Sequence, residues 1–170
     1  TVSAPARDVT PGVAPALVAP LAIFLDVPLI GSSGSAPAGH VAAAQVPWPG
    51  TVAFYRAPEQ SGFDLAALVA APAVTGVTLT PLPAGPVSRL DRGTTLRVEL
   101  DRGALTSVTP LALLSGANVA AIETAPHVWE LVQFQSAILV APSTYDLSQL
   151  LRGQSGSDND MSIALPAGAR

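Results

Sequence analysis

The sequence predicts an all-β fold: an antiparallel β-sandwich or barrel-like domain with one or two short helical turns. Three observations carry that expectation. Period-two alternation is clear from Thr94 to Leu100, where Leu96, Val98 and Leu100 face one way and Thr95, Arg97 and Glu99 the other. Turn-forming residues recur at short intervals, with 17 prolines and 14 glycines in 170 residues. No apolar segment keeps a 3.6-residue period over the length of an ordinary helix.

Thr1 to Pro11 has no periodicity and is broken by Pro5 and Pro11, so residues 1–12 read as a linker. Leu17 to Ile30 reads as one or two buried strands, because Leu21-Ala22-Ile23-Phe24-Leu25 is too short for a helix and lies between prolines. The glycines and serines from Gly31 to Gly39 predict a flexible surface loop. Val41 to Val46 and Thr51 to Arg56 are strand-like and are joined by a turn at Pro47-Trp48-Pro49-Gly50. Phe63 to Ala70 fits a short helix or a strand, and Val77 to Leu82 fits a strand.

Leu111 to Ser115 follows Pro110 and predicts one helical turn ending near Gly116. Asn118 to Thr124 is a further strand. Val128 to Val140 and Thr144 to Leu151 form a last pair, with Ala141-Pro142-Ser143 as the hairpin loop. The total is about eight or nine strands. Residues 13–158 form the β-rich domain and residues 159–170 a C-terminal tail. Leu90-Asp91-Arg92-Gly93 recurs as Leu100-Asp101-Arg102-Gly103, which is turn chemistry at the two ends of one strand.

Composition excludes several chemistries. All eight basic residues are arginine, so there is no P-loop lysine, Schiff-base lysine or Ser–Lys dyad. Cysteine is absent, which removes disulfides, thiolate zinc sites and cysteine nucleophiles. A net charge of −4 without a basic block argues against direct nucleic-acid binding. The longest apolar stretch, Ala14 to Ile30, is cut by Pro15, Pro20, Asp26 and Pro28 and falls short of a membrane span. The sequence begins at Thr1 with a Pro/Ala-rich lead, as expected of a piece of a longer or processed polypeptide.

Candidate active-site patterns are weak. His127 and Glu130 make an H-x-x-E pattern, but at the start of a strand residues three apart point to opposite faces, so a surface turn histidine is favoured over a metal ligand. Gly31-Ser32-Ser33-Gly34 and Gly153-Gln154-Ser155-Gly156-Ser157 lack the spacing of a nucleophile elbow. No carboxylate pair suggests a glycosidase. Asp158-Asn159-Asp160 lacks the glycine and distal glutamate of a calcium loop. Trp48, Tyr55, Trp129 and Tyr145 fit packed core aromatics better than a sugar-stacking platform. No catalytic, cofactor-binding or metal residue is assigned, and no cofactor is expected.

One region is more specific. Tyr145-Asp146-Leu147-Ser148-Gln149-Leu150-Leu151-Arg152-Gly153-Gln154-Ser155-Gly156, preceded by the apolar strand from Trp129, has an aromatic-x-Leu-Ser-x-Leu-Leu-Arg-Gly-Gln-x-Gly pattern. Tyr145, Leu147 and Leu150-Leu151 can anchor a strand to a core. Arg152 can fork onto a carboxylate or backbone carbonyls and fix the strand's exit, and Gly153 and Gly156 allow the turn. The other readings of Arg152 are a contact to a partner subunit and a contact to a ligand or substrate.

This pattern resembles that of phage tail proteins, and most closely the large baseplate proteins of gene transfer agents. Pro47-Trp48-Pro49-Gly50, Val52-Ala53-Phe54-Tyr55-Arg56, Leu90-Asp91-Arg92-Gly93-Thr94 and Leu113-Leu114-Ser115-Gly116-Ala117-Asn118 also look like that family. The resemblance spans Leu21 to Asp158. Gly156-Ser157-Asp158 stands where the family has Gly-Thr-Glu. It places this sequence on the C-terminal side of a TIM-barrel-like and a tail-hub domain. It implies a non-enzymatic structural domain of a virus-like particle's tail tip, assembled in the bacterial cytoplasm. The implied partners are other copies in a trimer and neighbouring hub or distal tail proteins, with roles in host attachment and DNA delivery. The alternative is a carbohydrate-binding module for the host cell surface. Arg152, Gly153, Tyr145, Leu147, Trp129 and Trp48 are the structural or interface candidates.

Overall fold

An alternating strand is stable only when its apolar face is covered, and here a curled sheet covers its own face. The structure is a computed structural model that describes residues 19–27 and 39–170. The expected linker at 1–12 and most of the loop at 31–39 lie outside these residues.

The strands are β1 (Leu21–Leu25), β2 (His40–Ala44), β3 (Val52–Arg56), β4 (Asp64–Val69), β5 (Thr75–Thr78), β6 (Leu82–Pro83), β7 (Asp91–Arg102), β8 (Val119–Ala125), β9 (Val128–Ala141), β10 (Thr144–Leu151) and β11 (Ala164–Leu165). Helix α1 (Pro110–Leu114) and a 3-10 segment (Gln154–Asp160) complete the described elements. The fold is all-β. The strands number eleven among the described residues, against the eight or nine expected. The surplus includes β6 and β11, two-residue pieces too short to leave a periodic trace.

Five antiparallel strands in the order β5-β7-β10-β9-β8 form the main sheet. Its inner face carries Leu96 and Leu100 of β7, Tyr145, Leu147 and Leu150 of β10, Val132 and Phe134 of β9, and Ile122 of β8. Leu82 and Leu165, from the short β6–β11 pair, join the same core. Near Gln149, whose φ is +56°, the strand breaks step. Leu150 therefore joins Leu147 in the core, where strict alternation would have put it on the other side.

The sheet's two edges, β5 and β8, are tied by the last residues. Thr78 N–H donates to the Ala169 carbonyl (2.8 Å) and Gly168 N–H to the Thr78 carbonyl (2.7 Å), while Glu123 N–H donates to the Arg170 carbonyl (2.9 Å). Residues 159–170, set apart in sequence as a tail, thus contribute both β11 and this edge-to-edge bridge.

The outer face of β9 is covered as well. Trp129 and Leu131 pack with Val27, Ile23 and Leu25 from the β1 region. Gln133 Nε2 donates to the Leu113 and Ala117 carbonyls at the end of α1 (2.8 and 2.7 Å), satisfying groups a helix C-terminus leaves open. Thr109 caps the other end, accepting from Ala112 N–H at 3.2 Å.

Some expectations change. Within Leu17 to Ile30 a single strand is described and it is half-buried rather than buried, with Phe24 63% exposed. The strand expected from Val77 to Leu82 splits at Thr78, because Leu79 N–H turns to the Arg97 carbonyl (2.7 Å) and Pro81 has no N–H to continue a ladder. Phe63 to Ala70 is strand, as β4, paired with β3 in a separate hairpin.

Candidate functional site

Glu130 is the one carboxylate in the apolar run Trp129-Glu130-Leu131-Val132, and its position on β9 points it to the inner face with Val132. Arg152 leaves the end of β10 on the same side. Its Nε donates to Glu130 Oε1 at 2.6 Å and its Nη2 to Oε2 at 2.8 Å, a bidentate pair. Nη1 donates to the Pro83 carbonyl at 2.7 Å, and Gly153 N–H adds a further bond to Glu130 Oε1 at 3.2 Å. Both side chains are essentially out of solvent, at 1% and 0% exposure.

The segment after Arg152 folds back over β9. Gly153 adopts φ +57° and Gly156 φ +88°, the left-handed region where glycine pays no Cβ penalty. Gln154 Nε2 donates to the Arg152 carbonyl (2.9 Å). Ser157, 1% exposed, accepts Leu131 N–H (2.8 Å) and donates to the Gln154 carbonyl (2.9 Å). On the other side the backbone passes close to the guanidinium at Gly85, where a Cβ would lie 2.9 Å from Arg152 Cγ.

Asp91 completes the charge pattern at the start of β7. Burial pushes its carboxyl pKa up. Bonds from the Thr94 side chain and from Gly93 and Thr94 N–H, with the Arg152 charge nearby, outweigh that and leave it below the ordinary 3.8. Gly93 N–H and Thr94 N–H reach Asp91 Oδ1 at 2.9 and 3.1 Å. The first Leu-Asp-Arg-Gly copy is therefore a local turn lock at the head of a strand.

Desolvating a charged pair is expensive, so its strength lies in fixing one geometry rather than in net stability. The arrangement ties the end of β10, the start of β9 and the β6 connection to one another. Out of solvent, the pair offers no group to a dissolved substrate.

The other singled-out residues are dispersed. Tyr145 and Leu147 lie in the main core, while Trp129 belongs to the separate cluster on the outer face of β9. Trp48 is half-buried beyond β2, its indole donating to the Ala70 carbonyl at 3.3 Å. Tyr55 is 61% exposed on β3. The four aromatics thus form no shared face. His127 is exposed at φ +64° in the β8–β9 turn, and its N–H donates to Glu123 Oε1 (3.1 Å), while Glu130 is committed to Arg152. Among the described residues no three His, Asp or Glu side chains gather as a metal-holding group. No helix among them is long and apolar enough to cross a membrane.

Glu130 entered the sequence reading only as half of the H-x-x-E pattern, and its pairing with Arg152 was not foreseen. The signal was present, a lone acid within a strand otherwise fit for a core. The exposed apolar residues at the far end of the β9–β10 hairpin (Ile138, Leu139 and Val140) and on the β3–β4 hairpin (Tyr55, Leu65 and Leu68) were not singled out as a group either.

The architecture is that of a curled, barrel-like β-sheet pinned by an internal ion pair. The sequence model of the family described as Rcc01698-like, C-terminal, matches residues 73–170, more than half of the chain, and the chain belongs to that family. The match takes in the whole five-stranded sheet, the ion pair and the bridging residues, and leaves β1 to β4 outside. No curated protein matches the chain.

Proposed function

We propose that this protein is a structural domain of a phage-like tail tip or baseplate, of the gene transfer agent type, acting within a larger polypeptide. Membership of the Rcc01698-like C-terminal family is the observation that carries the reading. The Tyr145-to-Gly156 pattern resembling baseplate proteins supports it. So does the division of labour in the fold: an ion-locked interior with apolar residues left on hairpin ends. In this reading the barrel is a rigid mount. The β9–β10 tip and the β3–β4 hairpin make the contacts, to other copies of the protein and to neighbouring tail proteins.

The test is electron cryomicroscopy of intact particles from cells carrying the parent gene or an in-frame deletion of this segment. Density for the barrel at the tail tip, with loss of gene delivery on deletion, is the expected result. Complete particles that deliver normally without the segment would overturn the proposal.

A further inference from the structure

Three consecutive residues hold the connection that leaves β6. The Pro83 carbonyl accepts from Arg152 Nη1 at 2.7 Å, Ala84 N–H donates to the Ile163 carbonyl at 3.0 Å, and Gly85 N–H donates to Met161 Sδ at 3.2 Å. The last bond is unlike the other two. A thioether sulfur is a weak acceptor, and a backbone amide ordinarily finds oxygen.

Gly85 has little room to move. A Cβ there would lie 2.9 Å from Arg152 Cγ and 3.2 Å from Asp91 Oδ2, so this peptide packs closely on the ion-paired arginine. Met161 directly follows the 3-10 segment, and its own N–H donates to the Asp158 carbonyl at 3.4 Å. Its side chain thus joins the segment folded back over β9 to the peptide that passes Arg152. Met161 is half-buried rather than enclosed. It is also the sole methionine in a chain without cysteine, so all the sulfur chemistry of these 170 residues rests on one atom.

We propose that Met161 is an oxidative modification site whose sulfoxide releases the Gly85 contact and loosens the connection supporting the Arg152–Glu130 pair. The oxidant is hydrogen peroxide. A sulfur lone pair attacks one peroxide oxygen and the O–O bond breaks. That oxygen stays on sulfur, and the other leaves with both protons as water. Sulfur gives up two electrons and peroxide takes them up. The product is a polar, chiral side chain in place of a flexible apolar one. Its sulfur, now electron-poor, no longer accepts the amide. The new oxygen can take over the bond only if Met161 and Gly85 move apart, which the packing of Gly85 on Arg152 resists. Methionine sulfoxide reductases reverse the change. The site is independent of the tail-tip reading, because it concerns the interior of the domain wherever that domain is mounted.

The 170-residue protein, treated with hydrogen peroxide under conditions that oxidise free methionine fully, should gain one oxygen that peptide mass spectrometry maps to Met161. An unmodified Met161 overturns the site. The oxidised protein should melt about 2–4 °C lower than the reduced one, the shift for one lost hydrogen bond in a domain of this size. The Gly85 amide should exchange its hydrogen faster, while amides in the middle of β10 keep their relative protection. Either readout staying at its reduced value overturns the proposal.

Met161→Leu keeps the bulk and removes the sulfur, so peroxide should leave its melt unchanged. A peroxide-induced drop of the same size in that variant would put the sensitive group elsewhere and overturn the assignment. Reduction of the oxidised parent by methionine sulfoxide reductases with dithiothreitol should restore the original melt. A melt that stays low once the oxygen is gone overturns the release of a single reversible contact.

Discussion

Arg152 and Glu130, 22 residues apart, face each other through two parallel N–H···O bonds of 2.6 and 2.8 Å, both side chains out of solvent. Removing either partner strands the other as a buried charge. Arg152→Ala and Glu130→Gln should each destabilise the domain by about 3–5 kcal/mol. Arg152→Lys keeps the charge but loses the fork, and should cost about 1–3 kcal/mol. Replacing both residues with leucine should recover much of what either single change loses, since the desolvation penalty disappears with the pair. Thermal or urea melts of the four variants decide this. Arg97 and Asp146 make a similar fork on the surface, with side chains 46% and 23% exposed. Arg97→Ala should leave the melt nearly unchanged, because solvent screens that pair.

Asp91 gives the domain an acid-sensitive increment. Its folded-state pKa is lowered, so its contribution is complete above the ordinary 3.8 and fades as pH falls through the depressed value. Asp91→Asn should therefore be less stable than the parent at neutral pH. The gap should close as pH drops below about 4, the carboxyl's unfolded-state value. A gap that stays constant from pH 7 to pH 2 would remove Asp91 from the account of acid stability.

Gly153 and Gly156 both have positive φ but differ in surroundings. A Cβ at Gly153 would lie 2.7 Å from the Asp158 backbone, whereas one at Gly156 meets nothing within 4 Å. Gly156→Ala should cost about 1–2 kcal/mol, from backbone strain alone. Gly153→Ala should cost clearly more, because a backbone atom cannot move aside as a flexible side-chain end does. Equal melting temperatures would show that the turn after Arg152 relaxes freely.

The bridge at residues 168–170 is open to truncation. Deleting Gly168, Ala169 and Arg170 removes three backbone bonds to Thr78 and Glu123 and the bond from Ala169 N–H to Thr78 Oγ1. The expected loss is about 2–4 kcal/mol at roughly 1 kcal/mol per bond. Amide hydrogens at Thr78 and Glu123 should exchange faster, while those in the middle of β10 should keep their relative protection. Uniform loss across the sheet would mean that the bridge and the sheet open together.

Legibility from sequence followed physical range. Strands β7 to β10 were readable because alternation and Ala141-Pro142-Ser143 are local signals, and α1 because Pro110 and Gly116 bracket it. Arg152 stood out through the residues beside it. Its partner did not, since nothing within a few positions of Glu130 names a residue on the next strand. The bridge was invisible for the same reason: Thr78 and Ala169 are 91 residues apart, and Gly168-Ala169-Arg170 has the composition of a tail. The break in step at Gln149 also escaped, because a positive φ at glutamine has no compositional mark.

That 91-residue separation also bears on how the domain is made. A contact so distant in sequence carries a large closure entropy and belongs to the slow class of folding events. During synthesis, β5 emerges long before the residues that will cover its edge. Until they arrive, two strand edges present unpaired amides and carbonyls to any neighbouring polypeptide, the condition under which β proteins associate wrongly. The emergence of residues 168–170, rather than the quality of the core, therefore sets when this barrel becomes safe from aggregation.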